Sequence, residues 1–533
     1  MAETCRICAS LVADSMEGMM EAIALAKSEG ADMVELRLDL IKDFKGGEDL
    51  ARLLTSRLLP AIVTFRPTWE YGQYDGDEET RQQVLRRAVE LGADFIDVEL
   101  QVAQSFVCKH QSLLESSRPN TRVIVSSHNY QSTPSSEDLA TLAAKIISTG
   151  ADIVKIAVMA STITDTSRVF ELLSHAQVPT IALSMGEYGL ISRLLAPKFG
   201  GFLTFGCLGQ GKESAPGQPT VTELVDIYRL RSQGRDTRVY GLIGKPVSQS
   251  KGPLIHNAAM EKNGFNGVYV PFLVDNVPEF LDVFGSSPDF GGFSVTIPHK
   301  EAAMSCCSHE VDPSVQSLGA LNTLVNKGQK LLGYNTDWNA ATSAVEEGLI
   351  EREKLRKGIE IDGSRVLEGR LVVVLGAGGA GKGLVYGAKT RGAHVVIANR
   401  SHGRAVELAI RQGAIAVPLS EVCEDGAVER LLEKVRAQHS DLQDKEPVLV
   451  NTTSVGMVPN VEETPVPVGA LKGYGLVFDA IYNPLETRLL REAKSVGATI
   501  VSGLEMFVRQ ANAQFNLFTG EQDQHHRRPY QQF

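Results

Sequence analysis

A lysine inside an apolar run is the first residue of this chain whose setting implies chemistry. Lys155 stands in Ala-Asp-Ile-Val-Lys-Ile-Ala-Val, and a charged amine buried without a partner is costly. Two readings follow. It is an inward lysine paired with a carboxylate such as Glu35, or an amine of lowered pKa that forms a Schiff base with a ketone. His128 closes the preceding apolar run, Val-Ile-Val-Ser-Ser-His-Asn-Tyr, where it can sit beside Lys155 as a general acid and base. Arg37, Arg66 and Arg193 lie at or just beyond the ends of similar runs. Guanidinium forks in that position suit an anionic substrate bearing a carboxylate. Glu35, Ser214 and Gln218 hold comparable positions.

A second set of residues lies downstream. Gly376-Ala377-Gly378-Gly379-Ala380-Gly381 follows the strand-like Leu371–Leu375 and opens the helix-like Lys382–Arg391. In that context backbone N–H groups and a helix N-terminus can cradle a pyrophosphate. An NAD site places an acidic residue about 20 positions on, for the ribose hydroxyl. Here the next strand, His394–Ala398, ends in Asn399-Arg400-Ser401, with Arg404 nearby, and a cation there favours the 2′-phosphate of NADP over NAD. Lys300, in Thr296-Ile-Pro-His-Lys, and Asp337, in Asn-Thr-Asp, are either an ordinary ion pair or an acid/base pair for a secondary alcohol. Ser248, Ser250 and Asn322-Thr323 add polar groups suited to a polyhydroxylated carboxylate.

These residues need elements to hold them. Eight short apolar runs recur before residue 230: Cys5–Val12, Met33–Asp39, Ala61–Arg66, Phe95–Leu100, Arg122–His128, Ile153–Val158, Thr180–Met185 and Gly201–Gly206. Amphipathic stretches such as Glu17–Ser28 and Asp138–Thr149 separate most of them. The alternation predicts a (β/α)8 barrel, with its chemistry at the C-terminal ends of the strands. The polar, glycine-containing stretch 231–238 reads as a linker, and a polar insert, Glu351–Gly369, precedes the strand beginning at Arg370. The expected organisation is a barrel over 1–230, an α/β unit over 238–343 joined by a C-terminal helix at about 503–519, and a Rossmann unit over 344–500. The tail, Glu521–Phe533, lacks apolar periodicity.

Composition narrows the classes. The chain has 533 residues, 43% hydrophobic and 22% charged, with a net charge of −11, which excludes a disordered or coiled-coil protein and a global basic field for nucleic acid. Seven cysteines make no disulfide scaffold, and Cys5 and Cys8 form a CxxC with no second pair at zinc spacing, so packing is their reading and no metal is expected. No apolar run approaches a membrane span. The strand-like start at Cys5 leaves no room for a signal or transit peptide in the sequence as given, so the expectation is either a cytosolic protein or a targeting segment that this sequence lacks.

Residues 5–230 resemble type I 3-dehydroquinate dehydratase through Val-Glu-Leu-Arg-Leu-Asp, Thr-Phe-Arg-Pro, Ile-Asp-Val-Glu-Leu, Ser-Ser-His-Asn-Tyr, Asp-Ile-Val-Lys-Ile-Ala and Ser-Ala-Pro-Gly-Gln. The resemblance implies an imine between Lys155 and the C3 ketone, with His128 removing the C2 proton and assisting loss of the C1 hydroxyl. Arg193, Ser214 and Gln218 would hold the carboxylate and ring hydroxyls, and Glu35 and Arg37 would orient His128 and substrate. Residues 238–520 resemble shikimate dehydrogenase through Gly-Lys-Pro-Val-Ser-Gln-Ser-Lys, Thr-Ile-Pro-His-Lys, Gly-Ala-Leu-Asn-Thr, Gly-Tyr-Asn-Thr-Asp, Asn-Arg-Ser, Asn-Thr-Thr-Ser-Val-Gly-Met and Gly-Leu-Glu-Met-Phe. By that likeness Lys300 and Asp337 are the catalytic pair, Ser250, Thr296, Asn322, Tyr482 and Gln510 touch substrate, and Gly503 stands near the cofactor.

The whole chain is similar to the plant-type bifunctional dehydratase/dehydrogenase family. The likeness implies a monomer acting on 3-dehydroquinate, 3-dehydroshikimate, shikimate or quinate with NADP. It also implies a plastid setting, although the chain start allows a cytoplasmic one. One departure stands out. The family's Ser-Lys-Ser-Pro reads Ser250-Lys251-Gly252-Pro253 here. A lost hydrogen bond to a charged group is worth about 1.5–3 kcal/mol, or roughly ten- to a hundredfold. Space at Gly252 would suit the tetrahedral C1 of quinate; alternatively the loop simply tolerates glycine. Competing readings are a metabolite-sensing regulator built from the same domains and a class I aldolase-like barrel.

Overall fold

The computed structural model describes residues 4–117, 120–307, 312–328, 330–358 and 365–520. The tail Glu521–Phe533 and the middle of the Glu351–Gly369 insert lie outside them. The chain divides into two compact units, Met1–Ile297 and Pro298–Phe533.

The first unit opens with β1 (Arg6–Leu11), β2 (Met33–Arg37), β3 (Ala61–Thr64), β4 (Phe95–Glu99), β5 (Arg122–Asn129), β6 (Ile153–Met159), β7 (Thr180–Met185) and β8 (Leu203–Gly206). They form one parallel sheet in the order β7-β6-β5-β4-β3-β2-β1-β8. All eight expected runs are strands, with no end shifted by more than two residues. Ser15 and Ser135 cap the helices Met16–Ser28 and Ser136–Ser148, each hydroxyl accepting a backbone N–H of the first turn. The barrel is nearly closed: β7 and β8 stand at the two ends of the strand order, bridged where Phe202 N–H donates to Thr180 O at 2.8 Å. A single π-helical turn, Glu223–Ile227, follows β8 where a longer helix would complete the repeat.

The two-residue period of the strands sorts the barrel interior into tiers. Met33, Ile62, Phe95, Ile124, Ile153, Ile181 and Leu203 pack together as an apolar floor. Two residues further along, β2 to β6 carry Glu35, Thr64, Asp97, Ser126 and Lys155, all buried. A further step brings Arg37, Arg66, Glu99 and His128. Charge therefore accumulates toward the C-terminal ends of the strands, above a dry base.

The expected linker begins in a short 3₁₀ turn, Leu230–Ser232, and ends inside β9 (Arg238–Gly244). In the first unit β9 pairs in parallel with β10 (Gly267–Leu273) and β11 (Phe290–Val295), over a cluster containing Phe272, Phe280, Phe284 and Phe293.

The second unit contains a hairpin, β12 (Thr323–Lys327) and β13 (Lys330–Tyr334), then the helix Asp337–Lys357. A six-stranded parallel sheet follows: β14 (Leu371–Leu375), β15 (His394–Ala398), β16 (Ile415–Val417), β17 (Val448–Asn451), β18 (Leu476–Asp479) and β19 (Thr499–Val501). Its order is β16-β15-β14-β17-β18-β19, the 3-2-1-4-5-6 arrangement whose switch point lies beyond the first strand. Its strands are apolar because both faces are packed. The C-terminal helix Gly503–Thr519 lies against the hairpin, where Gln514 Nε2 donates to Asn322 O at 3.1 Å and to Thr323 Oγ1 at 3.0 Å. Among the described residues no helix is long and apolar enough to cross a membrane, and the seven cysteines are free thiols.

Candidate active sites

Lys155 projects into the barrel from β6 and is 5% exposed. Its Nζ lies 2.7 Å from Asp97 Oδ2 and 3.1 Å from Glu35 Oε1, with the Phe205 ring 4.8 Å away. Burial works against the ammonium, but the Asp97 and Glu35 carboxylates outweigh it and hold its pKa above that of an ordinary lysine. The expectation of a lowered pKa is therefore corrected: the resting group is an ammonium in a carboxylate cage. Burial likewise opposes ionisation of Asp97, yet Arg66 and Lys155 keep it far below the usual carboxylate range.

His128 is held by Glu70, not by Glu35 or Arg37. Glu70 Oε1 accepts the His128 backbone N–H at 2.8 Å and faces Nδ1 at 3.1 Å. That contact assigns the proton to Nδ1 and leaves the Nε2 lone pair as the basic atom. Burial, then the Arg66 and Lys155 cations, push its pKa well below the ordinary histidine value, so the ring is neutral. Glu35 instead accepts from Ser10 Oγ at 2.6 Å, Thr64 Oγ1 at 3.1 Å and Lys155.

The three arginines line one cavity with Lys155 and His128 but differ in commitment. Arg37 is bidentate to Asp39, at 2.9 and 2.7 Å. Arg66 donates to Glu99 at 2.7 Å, Ser126 at 2.8 Å and Asp97 at 2.9 Å, which corrects its reading as a substrate fork: its donors tie the charged tiers together. Arg193 is 1% exposed, and its Nε and Nη2 have no hydrogen-bond partner among the described residues. Burial pushes its pKa down to about 10. Gln218 is similar. Its Oε1 accepts from Ser214 N–H at 2.9 Å and Ser214 Oγ at 3.2 Å, while its buried Nε2 has no hydrogen-bond partner among the described residues. Sequence reasoning gave no role to Asp97, Glu99, Ser126 or Glu70. The first two alternate with Ile96 and Val98 in an otherwise apolar strand, a visible signal. Glu70 sits in a 3₁₀ turn, Thr68–Glu70, where no periodicity marks it.

In the second unit Lys300 Nζ donates to Asp337 Oδ2 at 2.6 Å. Each residue starts a helix, Lys300–Ser305 and Asp337–Lys357, and a helix N-terminus favours the carboxylate at 337. Asn335 Oδ1 accepts the Asp337 N–H at 3.1 Å. Asn322 is buried; its Oδ1 accepts from Thr336 N–H and Thr323 Oγ1, each at 2.8 Å, and its Nδ2 donates to Thr336 Oγ1 at 2.9 Å. Only one amide hydrogen is left for a ligand, so most of Asn322 holds the turn leading into Asp337. Tyr482 stacks on Phe507, with centroids 4.9 Å apart. Gln510 Nε2 donates to Phe507 O at 3.1 Å.

The glycine run fits a dinucleotide. Gly376 has φ +108°, and a Cβ there would lie 2.5 Å from Thr452 Oγ1; at Gly381 it would meet Gly376 O at 2.4 Å. Those two glycines are required by the protein's own packing. At Gly378 and Gly379 nothing lies within 4 Å of the Cβ position, so that space is open to a ligand. The helix runs Gly379–Thr390 and so starts earlier than expected, which makes Gly379, Ala380 and Gly381 its first turn, behind Ala377 and Gly378. Asn399 Nδ2 donates to Ser401 O at 2.9 Å, and Arg400 and Arg404 are exposed beside them. Gly503 is needed for close approach, since a Cβ would lie 2.3 Å from Ala480 O.

In the first unit Ser248 is exposed, and Ser250 Oγ accepts the Gly252 N–H at 3.1 Å. A Cβ at Gly252 would stand 3.2 Å from both Ser250 Oγ and Tyr269 Cε1. The space expected there is thus filled by Tyr269, although the missing hydroxyl stands. Thr296 is half-buried, its N–H donating to Ile243 O at 3.0 Å.

Residues 7–235 match the family described as type I 3-dehydroquinase, and residues 242–324 match the shikimate dehydrogenase substrate binding domain. The chain is 54% identical over 521 residues to the bifunctional 3-dehydroquinate dehydratase/shikimate dehydrogenase, chloroplastic, of Arabidopsis thaliana, covering 96% of this chain and 82% of that protein. It is 37% identical over 287 residues to the shikimate dehydrogenase (NADP(+)) of Methanosarcina barkeri, covering 53% of this chain and 93% of that one. A solved structure, dehydroquinate dehydratase and shikimate dehydrogenase from S. pombe AroM, is 25% identical with a TM-score of 0.42, covering 97% of this chain and 96% of that chain. At 54% identity over 96% of its length, the chain belongs to the bifunctional 3-dehydroquinate dehydratase/shikimate dehydrogenase family.

Proposed function

We propose that the chain catalyses two reactions of the shikimate pathway, dehydration of 3-dehydroquinate and NADP-dependent reduction of 3-dehydroshikimate. The observation that carries the first is a buried lysine sharing one cavity with a neutral histidine and an unpaired arginine fork. Arg193 and Gln218 receive the substrate carboxylate and a ring hydroxyl, completing donors that otherwise stay unsatisfied. The Lys155 ammonium gives a proton to His128 Nε2, the freed amine adds to the C3 carbonyl, and His128 returns that proton to the carbinolamine hydroxyl, which leaves as water and gives a protonated imine. His128 Nε2 takes a C2 proton, and the electron pair passes through the enamine. His128 then returns that proton to the departing C1 hydroxyl, which leaves as water. A second water hydrolyses the imine and frees Lys155. Borohydride added with 3-dehydroquinate should fix one substrate mass on Lys155. A folded Lys155→Ala chain that dehydrates normally would refute the imine.

In the second reaction Lys300 and Asp337 exchange the alcohol proton. Asn322, Tyr482 and Gln510, with Ser248, Ser250 and Thr296, are the proposed substrate contacts. Gly376 to Gly381 and the first turn of the following helix hold the pyrophosphate, and Arg400 and Arg404, with Asn399 and Ser401, the 2′-phosphate. NADP supplies or accepts the hydride when bound. The plastid is the proposed compartment, on the chloroplastic relative. Quinate is kept as a proposed additional substrate on the hydroxyl absent at Gly252 alone, since Tyr269 fills the space that would have suited its tetrahedral C1. A strong shikimate preference in kcat/KM, unchanged in Gly252→Ser, would overturn that proposal.

A further inference from the structure

We propose a ligand site outside both reaction centres, for one divalent transition-metal ion of the zinc class, built in the second unit from His394 at the N-terminal end of a strand in the six-stranded sheet and from His439 and Asp441 on a connection beside it. His394 is the first residue of β15 and is 6% exposed, yet neither ring nitrogen has a hydrogen-bond partner among the described residues. Its Nε2 faces Asp441 Oδ1 at 3.3 Å. The His439 ring lies 4.6 Å from it, centroid to centroid. One ligand atom from each of the three residues falls within 4.8 Å of the other two.

Zinc binds imidazole nitrogen at about 2.0–2.1 Å and carboxylate oxygen at about 2.0–2.2 Å, so tetrahedral neighbours stand roughly 3.3–3.5 Å apart. The His394–Asp441 separation already matches that spacing. The remaining closure, on the order of 1 Å, falls to His439 and Asp441, which lie beyond the helix Ala427–Arg436 on a half-buried to exposed connection. Two imidazoles and one carboxylate leave a fourth position for water. The far end of β15 leads to Asn399 and Arg400, so five residues at about 3.3 Å each separate this site from the expected phosphate edge. An ion here would tie the start of β15 to the 437–444 connection and add stability without entering the chemistry.

The test uses the full-length chain after chelator treatment, titrated calorimetrically with Zn²⁺ alone, beside His439→Ala and Asp441→Asn. Both substitutions lie outside the catalytic and cofactor groups, so unchanged dehydrogenase kcat reports intact folding. Expected is one saturable equivalent at low micromolar or tighter Kd, weakened on the order of tenfold or more in each variant, with a Zn²⁺-induced rise in Tm that His439→Ala abolishes. No saturable equivalent below about 100 μM, or an equivalent and a Tm rise that both variants retain, would overturn the site.

Discussion

Replacing Glu70 tests whether orientation of His128 matters to dehydration. The carboxylate accepts both the His128 backbone N–H at 2.8 Å and, at 3.1 Å, the proton on Nδ1. Of the two contacts, the one to Nδ1 fixes the ring itself, so in Glu70→Ala the loss to catalysis is reckoned on the ring contact. A hydrogen bond to a charged group is worth about 1.5–3 kcal/mol, which at about 1.36 kcal/mol per decade is a ten- to 150-fold fall in kcat. Glu70→Gln keeps an accepting oxygen without its charge and should lose less. The assay is the ultraviolet absorbance of the conjugated enone formed on dehydration. The dehydrogenase activity of the same chain, followed through NADPH, is an internal control for folding and should not move. The reasoning fails if Glu70→Ala stays within about threefold of wild type in kcat, or if the change falls wholly on KM.

Three further predictions follow from the same geometry. Lys300→Ala should lower dehydrogenase kcat by about 10²–10⁴ and leave dehydration intact, read by the two assays in parallel; equal losses in both would indicate misfolding instead. Arg193→Met should raise KM for 3-dehydroquinate by about ten- to a hundredfold while raising the Tm of the ligand-free protein, because it removes a buried guanidinium with two unsatisfied nitrogens; a lower Tm with unchanged KM would contradict the assignment. Because His128 is held below its ordinary value, it remains an unprotonated base as pH falls, until pH passes through that depressed pKa. The acid limb of dehydratase kcat/KM should therefore lie below about pH 6.5, and a limb at or above it would refute the neutral ring.

The strands and the principal reactive residues were legible because they interrupt apolar runs. Lys155 stands out where every neighbour is apolar, and the glycine run stands out because it sits between a strand and a helix. Asp97 and Glu99 were visible as residues but not as partners, since register across the sheet decides which strand faces which. Glu70 was not legible: it reaches His128 from a 3₁₀ turn 58 positions away, and no local pattern encodes that. The same limit explains Gly252, where the loss of a side chain suggested space that a tyrosine from β10 in fact occupies. The lowered pKa expected for Lys155 reflected burial alone. The carboxylates that reverse it come from other strands.

The cage around Lys155 has a further consequence in charge accounting. An ammonium and a protonated imine both carry one positive charge at nearly the same place. Asp97 and Glu35, fixed over an apolar floor where field is little diluted, therefore meet the same charge before and after the carbon–nitrogen bond forms. They need not reorganise as the covalent intermediate replaces the free side chain. The species they disfavour are those with a neutral nitrogen, the free amine and the enamine, so in the proposed mechanism the arrangement that keeps the resting lysine protonated is equally a template for the iminium cation.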